Sequence, residues 1–267
     1  MFARLFAQNV IFRMAVHAML WGLVVVLAGV LLSIFPFLSW REFVQGLRDP
    51  EVAYSIKFSL LCVAVSTGLC VLFSIPAGYA LSRYRVPLAS VVDTIVDLPI
   101  VLPQLIAGIA LLMFFQTPPG RWIETNIMEF AYSRPGVVLA IFFPTISLTV
   151  RSMKAGFDSV DPRYEQVART LGCTEWQAFR KIALPLARNS LIAGAVLNWA
   201  YALGVFGSVI MFSGATRMKT DVIPVAIFLN MTTGRIDLGL TLTVVLLAIA
   251  VISLVLFKRL GGKATLA

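Results

Sequence analysis

The sequence predicts an all-α membrane protein with six transmembrane helices. Of its 267 residues, 59% are hydrophobic and only 13% are charged, and the mean hydropathy is +0.90. Soluble domains are about half apolar and about a quarter charged. Because each crossing needs roughly 20 apolar residues, the length allows about six crossings joined by short loops. Little room is left for a large soluble domain, which argues against a catalytic module carried by this chain.

Six apolar runs are long enough, or nearly so, to cross a bilayer. They cover about 14–38, 54–81, 92–115, 135–153, 189–213 and 238–258. In lipid every peptide group must be hydrogen-bonded internally, so each run is expected to be helical. The first run is too long for the core of a signal peptide and no A-x-A-like cleavage site follows it, so we expect it to be retained.

Prolines predict where the spans bend. Pro76 and Pro144 interrupt the second and fourth runs. The third run carries the phrase Asp97-Leu98-Pro99 and then Leu102-Pro103, which predicts a broken or bent start rather than a straight helix.

The net charge of +9 is explained by topology. With the N-terminus in the cytoplasm, most Lys and Arg residues fall in inner segments, whereas bases and acids nearly balance in the outer ones. The positive-inside rule therefore predicts that both termini are cytoplasmic. Nucleic-acid binding would need the basic residues on one soluble face, and here they are scattered between apolar runs.

Neither the cysteines nor the single histidine form a metal-binding or catalytic pattern. Cys62 and Cys70 lie in one apolar run and Cys173 lies in a polar loop, so we expect free thiols. His17, in the first run, is expected to be a packing or interfacial residue. The sequence predicts no metal site, no catalytic residue and no bound cofactor.

The long polar stretch between the fourth and fifth runs predicts two short helices. Asp161 is the predicted N-cap with Pro162 at the first helical position, and Gly172 suits a left-handed helix end. An apolar stripe recurs between them at Tyr164, Val167, Ala168 and Leu171.

The second short helix follows at once. Thr174 and Gln177 have the spacing of a capping box, and Leu184-Pro185 is expected to end the unit. Its apolar face is predicted at Trp176, Phe179 and Ile182. Helices of this length are unstable alone, so the apolar stripe of the first short helix must be covered by something else. The protein's own membrane domain, the lipid interface and a partner protein all remain open.

The stretch from Gly172 through Ile182-Ala183-Leu184-Pro185 resembles the EAA loop, EAA-x3-G-x9-I-x-LP, of permease subunits of ATP-binding-cassette (ABC) importers. Gln166 and Val167 stand at the family's Glu and first Ala, Ala168 matches, and Glu165 stands one residue early. This shifted form is similar to that of molybdate, tungstate and sulfate permeases.

Two other segments carry the same resemblance, which covers roughly residues 54–258. Residues 97–103, followed by Ala107-Gly108-Ile109, are similar to the start of the third core span in oxyanion permeases. Residues 199–207 are similar to their FAR-x-LGEFG segment, with Tyr201 in place of Arg and Val205 in place of Glu. Losing both charges together avoids leaving one charge unpaired in the membrane.

The resemblance implies a type I ABC importer permease (MetI-like) fold with three parts. Residues 1–53 would hold the N-terminal cytoplasmic segment, the first span and an outer loop. Residues 54–260 would form the permease core, with a coupling loop at about 157–187, and 261–267 would be a tail.

The resemblance also implies the function: a permease subunit that carries a tetrahedral oxyanion, either molybdate or tungstate or else sulfate, across a prokaryotic inner membrane. Coupling to ATP hydrolysis would run through the EAA loop, by Glu165, Gln166, Val167, Ala168, Leu171, Gly172, Ile182, Leu184 and Pro185. Expected partners are a second permease copy or a paralogue, two cytoplasmic ATPase subunits, an extracytoplasmic solute-binding protein and membrane lipid, but no nucleic acid.

ATP and Mg²⁺ are expected on the partner ATPase subunits. Within this chain, Gly262-Lys263 comes nearest to a phosphate-binding loop, and it lacks the upstream Gly and the following Ser or Thr.

Four polar residues in the spans are candidates for the translocation path: Gln104, Asn198, Tyr201 and Ser208. Interhelical hydrogen bonds are favoured over a water-filled cleft, since such side chains commonly join helices in membranes. Asp97 is expected near the inner interface, where it caps its span or pairs with Arg83 or Arg85. The outer loop 214–220 is expected to be solvated rather than an anion gate.

Three alternatives stay open. A permease of the same kind could carry another small solute, such as a phosphonate or a polyamine. A secondary transporter would need ionisable residues that these spans mostly lack. A membrane-embedded enzyme would need a cluster of His, Cys or carboxylate side chains.

Overall fold

The computed structural model describes residues 2–261, with side chains over 12–255, and this part of the chain is helical with connecting turns. In chain order the helices are α1 (Phe2–Leu32), α2 (Trp40–Arg48), α3 (Pro50–Arg83), α4 (Ala89–Val101), α5 (Gln104–Gln116), α6 (Pro118–Asn126), α7 (Arg134–Asp158), α8 (Arg163–Thr170), α9 (Glu175–Ala178), α10 (Leu184–Leu203), α11 (Gly207–Ser213), α12 (Ile223–Thr232) and α13 (Ile236–Gly261). The predicted all-α fold is confirmed.

Four of these helices, α1, α3, α7 and α13, are each long and apolar enough to cross a membrane. Two bent pairs bring the total to six spans: α4 with α5, and the helix ending at Leu203 with α11. The six spans lie where the apolar runs predict them, although α3 begins at Pro50 and α7 continues to Asp158. Apart from Gly261, the predicted tail 261–267 lies outside the described residues.

The third span is broken as its prolines predict. The chain bends by 115° between α4 and α5, across Leu102 and Pro103. The fifth span is also broken, by 62° between Leu203 and Gly207, where the sequence predicts no break. Neither pair is a straight rod.

The predicted end of the second short helix at Leu184-Pro185 is wrong. A π turn over Phe179–Ala183 joins α9 to α10, so one continuous helix runs from Glu175 to Leu203. The Leu184 N–H donates to the Phe179 carbonyl five residues earlier. Because proline has no N–H for the usual bond to the fourth preceding residue, this wider turn lets the helix pass Pro185.

The core lies where α7 packs against α3 and α10. Gly78 of α3 and Gly194 of α10 make this possible, since an added Cβ would come within 2.7 Å of the Lys154 backbone nitrogen and of the Ser152 side chain, respectively. Met153 and Phe157 are fully buried in the same region. Small residues thus bring the spans to close contact, as is common in membrane proteins.

The α1 helix stands apart from this core. None of its described side chains, from Phe12 to Leu32, is buried against the rest of the chain. Lipid or another polypeptide must cover this apolar helix.

Candidate functional site

The hairpin between α7 and α10 is built by the local signals that the sequence carries. Pro162 is the N-cap of α8, one residue later than predicted, and the Asp161 carboxylate accepts the Arg163 N–H at 2.9 Å. Gly172 has φ +91°, which agrees with its predicted left-handed role.

The predicted capping box at the start of α9 is confirmed. The Thr174 hydroxyl accepts the Gln177 N–H at 3.2 Å, and the Gln177 side chain accepts the Thr174 N–H at 2.9 Å. The turn between the two short helices is therefore held by backbone and side-chain bonds of its own.

The apolar stripe of α8 points away from the rest of the chain. Val167 is 57% exposed and Leu171 is 80% exposed, and Tyr164 is exposed beside them. The membrane domain of this chain therefore does not cover the stripe, which leaves a partner protein or lipid. Ala168 of the predicted stripe lies instead on the buried side of α8.

The opposite side of α8 is anchored by a buried ion pair. Arg83, at the end of α3, donates from Nε to the Glu165 carboxylate at 2.7 Å, and each side chain is 9% exposed. The Tyr79 hydroxyl donates to the other Glu165 oxygen at 2.5 Å. The sequence places Glu165 in the motif but contains no local signal for this pair.

Arg83 also binds the end of α7. Its Nη2 donates to the Phe157 carbonyl at 3.0 Å and to the Val160 carbonyl at 2.8 Å. A cation at these carbonyls is favourable, because the last carbonyls of a helix lack intrahelical donors. One guanidinium group thus fixes α8 to the ends of both α3 and α7.

Aromatic side chains surround this anchor. The Tyr79 ring lies 4.7 Å from the Phe179 ring and 5.3 Å from the Phe157 ring, measured between centroids, in edge-to-face contacts. The Tyr84 hydroxyl donates to the Glu175 carboxylate at 3.4 Å. Burial, and the nearby Glu175 charge, raise the pKa of Tyr84, which keeps this hydroxyl protonated as a donor.

The remaining motif residues lie at the base of the hairpin or on its surface. Ile182 and Leu184 are half-buried, and Leu184 packs against the cluster around Met153 and Phe157. Gln166, Gly172 and Pro185 are exposed.

The breaks of the third and fifth spans meet at Gln104. Its side-chain oxygen accepts the N–H groups of Phe206 at 3.1 Å and Gly207 at 3.2 Å. Its amide nitrogen lies 3.5 Å from the Tyr201 hydroxyl. A Cβ on Gly207 would come within 2.9 Å of the Leu105 nitrogen, so glycine is needed for this close approach. Gln104 therefore satisfies backbone groups that the break leaves without partners.

Asn198 and Ser208 also form interhelical hydrogen bonds. The buried Asn198 amide donates to the Thr67 hydroxyl at 3.4 Å, and the buried Ser208 hydroxyl donates to the Ala140 carbonyl at 2.7 Å. Tyr201 differs, since it is 40% exposed. Of the four polar candidates, Tyr201 has the most exposed side chain.

The expected pairing of Asp97 with Arg83 or Arg85 is wrong. Asp97 instead accepts from Arg151 Nη2 at 2.7 Å, and Arg151 Nη1 lies 2.9 Å from the Asp93 carboxylate. The reason is that α4 packs against α7, which places Arg151 beside Asp93 and Asp97, while Arg83 is occupied by Glu165.

At the Pro50 end of α3, Arg217 of the loop 214–220 is also paired. Its Nη1 lies 2.5 Å from the Glu51 carboxylate, which Arg235 approaches at 2.8 Å. Asp221 is buried nearby and accepts from the Ser55 hydroxyl at 3.2 Å, and burial raises its pKa. Arg217 is thus partly buried, and Lys219 is the exposed cation among the described residues of this loop.

Comparison with known proteins bears on this architecture. Residues 71–262 match a family model described as binding-protein-dependent transport system inner membrane component. The sulfate transport system permease protein CysT of Escherichia coli is 32% identical over 196 residues, which are 73% of this chain and 71% of CysT. The molybdate/tungstate transport system permease protein WtpB of Methanocaldococcus jannaschii is 32% identical over 249 residues, 92% of this chain and 98% of WtpB.

Solved structures agree on the fold. A chain of a bacterial alginate ABC transporter, crystallised with an alginate pentasaccharide-bound periplasmic protein, matches with a TM-score of 0.72 at 17% identity, covering 97% of this chain and 96% of that one. A chain of the MetNI methionine ABC transporter, in an inward-facing conformation, matches with a TM-score of 0.65 at 16% identity, covering 80% and 96%.

Proposed function

The chain belongs to the family of binding-protein-dependent transport system inner membrane components, and from that premise we propose that it forms the membrane path of an ATP-driven importer for a tetrahedral oxyanion. Its relatives in sulfate and in molybdate/tungstate systems support this substrate class. In this proposal both termini and the hairpin face the cytoplasm, as the distribution of Lys and Arg favours.

The observation that carries the proposal is an exposed apolar stripe on an anchored short helix. The α8 helix is about 12 Å long, too short to be stable alone, and yet Glu165 and Arg83 hold it in place. An anchored helix with Val167 and Leu171 exposed suits docking into a groove of another protein, because little conformational entropy is lost when it binds.

The groove into which α8 docks would belong to a cytoplasmic ATPase subunit, and that subunit would bind ATP and Mg²⁺. Movement of α8 would reach α3 through the Glu165–Arg83 pair, and α7 through the bonds from Arg83 to the Phe157 and Val160 carbonyls. Packed spans respond to such a pull by rigid-body rocking rather than by continuous deformation.

The motif residues then have separate roles. Glu165 anchors α8, Ala168 allows close packing on its inner side, and Gly172 makes the turn. Ile182, Leu184 and Pro185 belong to the continuous helix that carries the hairpin into the fifth span. Gln166, Val167 and Leu171 form the exposed surface.

The translocation path would run beside the two broken spans, where Tyr201 is exposed and Gln104 joins the breaks. Neither Tyr201 nor the buried Val205 carries a charge, so the anion would be bound weakly in the membrane. Weak binding favours release, and selectivity would come from an extracytoplasmic solute-binding protein. A second copy of the chain, or a paralogue, would complete the path.

Copurification with an ATPase subunit tests this proposal. We expect Leu171→Asp and Val167→Asp to abolish both copurification and ATP-driven oxyanion uptake, because each puts a charge on the docking stripe. Gly172→Pro should act in the same way, since proline cannot adopt φ +91°. All three variants should still insert in the membrane, because the altered side chains are exposed.

Thr174→Asp is the matched control. It adds the same charge to the hairpin but keeps an N-cap acceptor for α9, so uptake should stay close to that of the unmodified protein. Normal uptake in the Leu171→Asp and Val167→Asp variants would reject the docking role of the stripe.

A further inference from the structure

An open groove lies between the Pro50 end of α3 and the beginning of α7. It encloses about 510 Å³ and is lined mainly by apolar side chains, among them Phe58, Leu61 and Val138. Two cations, Lys57 and Arg134, line the same groove. Its lining includes no residue of the hairpin and none at the breaks near Gln104.

The two cations differ from the arginines that lie nearby. Within residues 12–255, neither Lys57 nor Arg134 forms an ion pair, whereas Arg217 and Arg235 share the Glu51 carboxylate. Both Lys57 and Arg134 are exposed. The Arg134 guanidinium lies 5.9 Å from the centre of the Tyr54 ring, which holds it over the groove by a cation–π contact. The groove therefore carries two charges that still lack an anion.

The apolar part of the groove continues along the spans. A second cavity of about 200 Å³ shares Pro135 and Val138 with the first and extends to Leu69 and Phe73. Lys57 and Phe73 are separated by about 24 Å along α3, at 1.5 Å per residue. One leaflet of the hydrocarbon core is about 15 Å thick. The apolar lining is therefore long enough to cover an acyl chain across one leaflet, with the cations at one end.

We propose that this groove binds an anionic phospholipid. The phosphate lies between Lys57 and Arg134, and one acyl chain follows Leu61, Leu69 and Phe73 along α3. Trp122 and Tyr132, both exposed at the same side of the protein, mark the depth of the headgroups, where aromatic residues are enriched.

Charge complementarity favours a lipid over two alternative occupants, the α1 helix of a second copy and a free oxyanion. The α1 helix of a second copy could fill the apolar part of the groove, but residues 12–37 contain no Asp or Glu that would pair with the cations. A free oxyanion could pair with the cations, but it would leave the apolar part of the groove uncovered. An anionic lipid satisfies both parts at once.

The bound lipid would join α3 and α7 at the end opposite to the Arg83 anchor. Each cation near a membrane surface strengthens the binding of an anionic lipid about fivefold. Removal of both cations should therefore weaken binding about 25-fold, whereas binding of a zwitterionic lipid should change little.

The test uses the full-length chain in the assembly in which it purifies, stripped of lipid and placed in nanodiscs of equimolar phosphatidylglycerol and phosphatidylcholine. Native mass spectrometry then counts the retained lipids. We expect phosphatidylglycerol to be retained by the unmodified protein and lost from the double variant Lys57→Gln, Arg134→Gln. The control is Arg121→Gln, which removes an exposed cation of α6 outside the groove and should retain the lipid.

A second variant separates the lipid from a free anion. Leu61→Trp fills the apolar part of the groove and keeps both cations, so it should weaken lipid retention without changing the charge. Equal retention of both lipids by the unmodified protein, or unchanged retention by the double variant, would overturn the proposal. So would displacement of the lipid by inorganic sulfate, or a crosslink from position 61 to the first helix of a second copy.

Discussion

The two ends of α3 are both fastened by arginine, but in different surroundings. At the Arg83 end, one guanidinium joins Glu165 and two backbone carbonyls, and the pair is nearly closed to solvent. At the Pro50 end, Arg217 and Arg235 share Glu51, and all three side chains are between 27% and 40% exposed.

This difference decides what each ion pair contributes. Exposed pairs contribute at most about 1 kcal/mol, because water competes for both charges. Breaking a buried pair costs more, since the remaining charge is left without a partner. The Arg83 end therefore behaves as a fixed joint, whereas the Pro50 end can rearrange at low cost.

Loss of Arg83 should give the largest effect. Arg83→Gln leaves Glu165 buried without its cation, and we expect the free energy of unfolding to fall by about 3–5 kcal/mol, together with loss of ATP-driven uptake. Thermal unfolding of the purified chain and an uptake assay measure the two effects. The control is Arg85→Gln, an exposed arginine two residues away, which should change neither. Equal effects of the two substitutions would contradict the contrast between the ends of α3.

A smaller effect is expected at the other end. Glu51→Gln removes the carboxylate shared by Arg217 and Arg235, and since these groups are partly exposed we expect a loss of about 1 kcal/mol or less. The loss should shrink further as salt is raised, because salt screens exposed pairs. Thermal unfolding at low and high salt measures this. A loss as large as that of Arg83→Gln would mean that the two ends are equally rigid.

Tyr201, in the middle of the membrane region, should matter least. Tyr201→Ala removes a weak contact with Gln104. An interhelical hydrogen bond contributes about 0.6 kcal/mol, which is about a threefold change in an equilibrium constant. Uptake should therefore fall by less than in the Leu171→Asp or Arg83→Gln variants. Complete loss of uptake with normal assembly would instead mean that Tyr201 contacts the transported anion.

Signals that act within a few residues were predictable from the sequence. The six spans follow from hydropathy, the break at Pro103 follows from proline chemistry, and the start of α9 follows from the capping box of Thr174 and Gln177. Each of these depends on neighbouring residues along the chain, so one sequence contains the information.

Contacts between distant segments were not predictable in this way. The Arg83–Glu165 pair joins residues 82 positions apart, and Asp97 pairs with Arg151 rather than with the nearer Arg83 or Arg85. Which cation an acid meets depends on how the helices pack. The π turn before Pro185 was missed because proline usually ends a helix, and here a wider turn removes the conflict.

The uninterrupted helix from Glu175 to Leu203 has a mechanical consequence. It carries the hairpin at its base and reaches the break of the fifth span about 43 Å away, at 1.5 Å per residue. A tilt of about 5° at the base would shift the far end by about 4 Å. In the proposed importer, a small tilt of the hairpin at the membrane surface would therefore produce a larger displacement at the break of the fifth span.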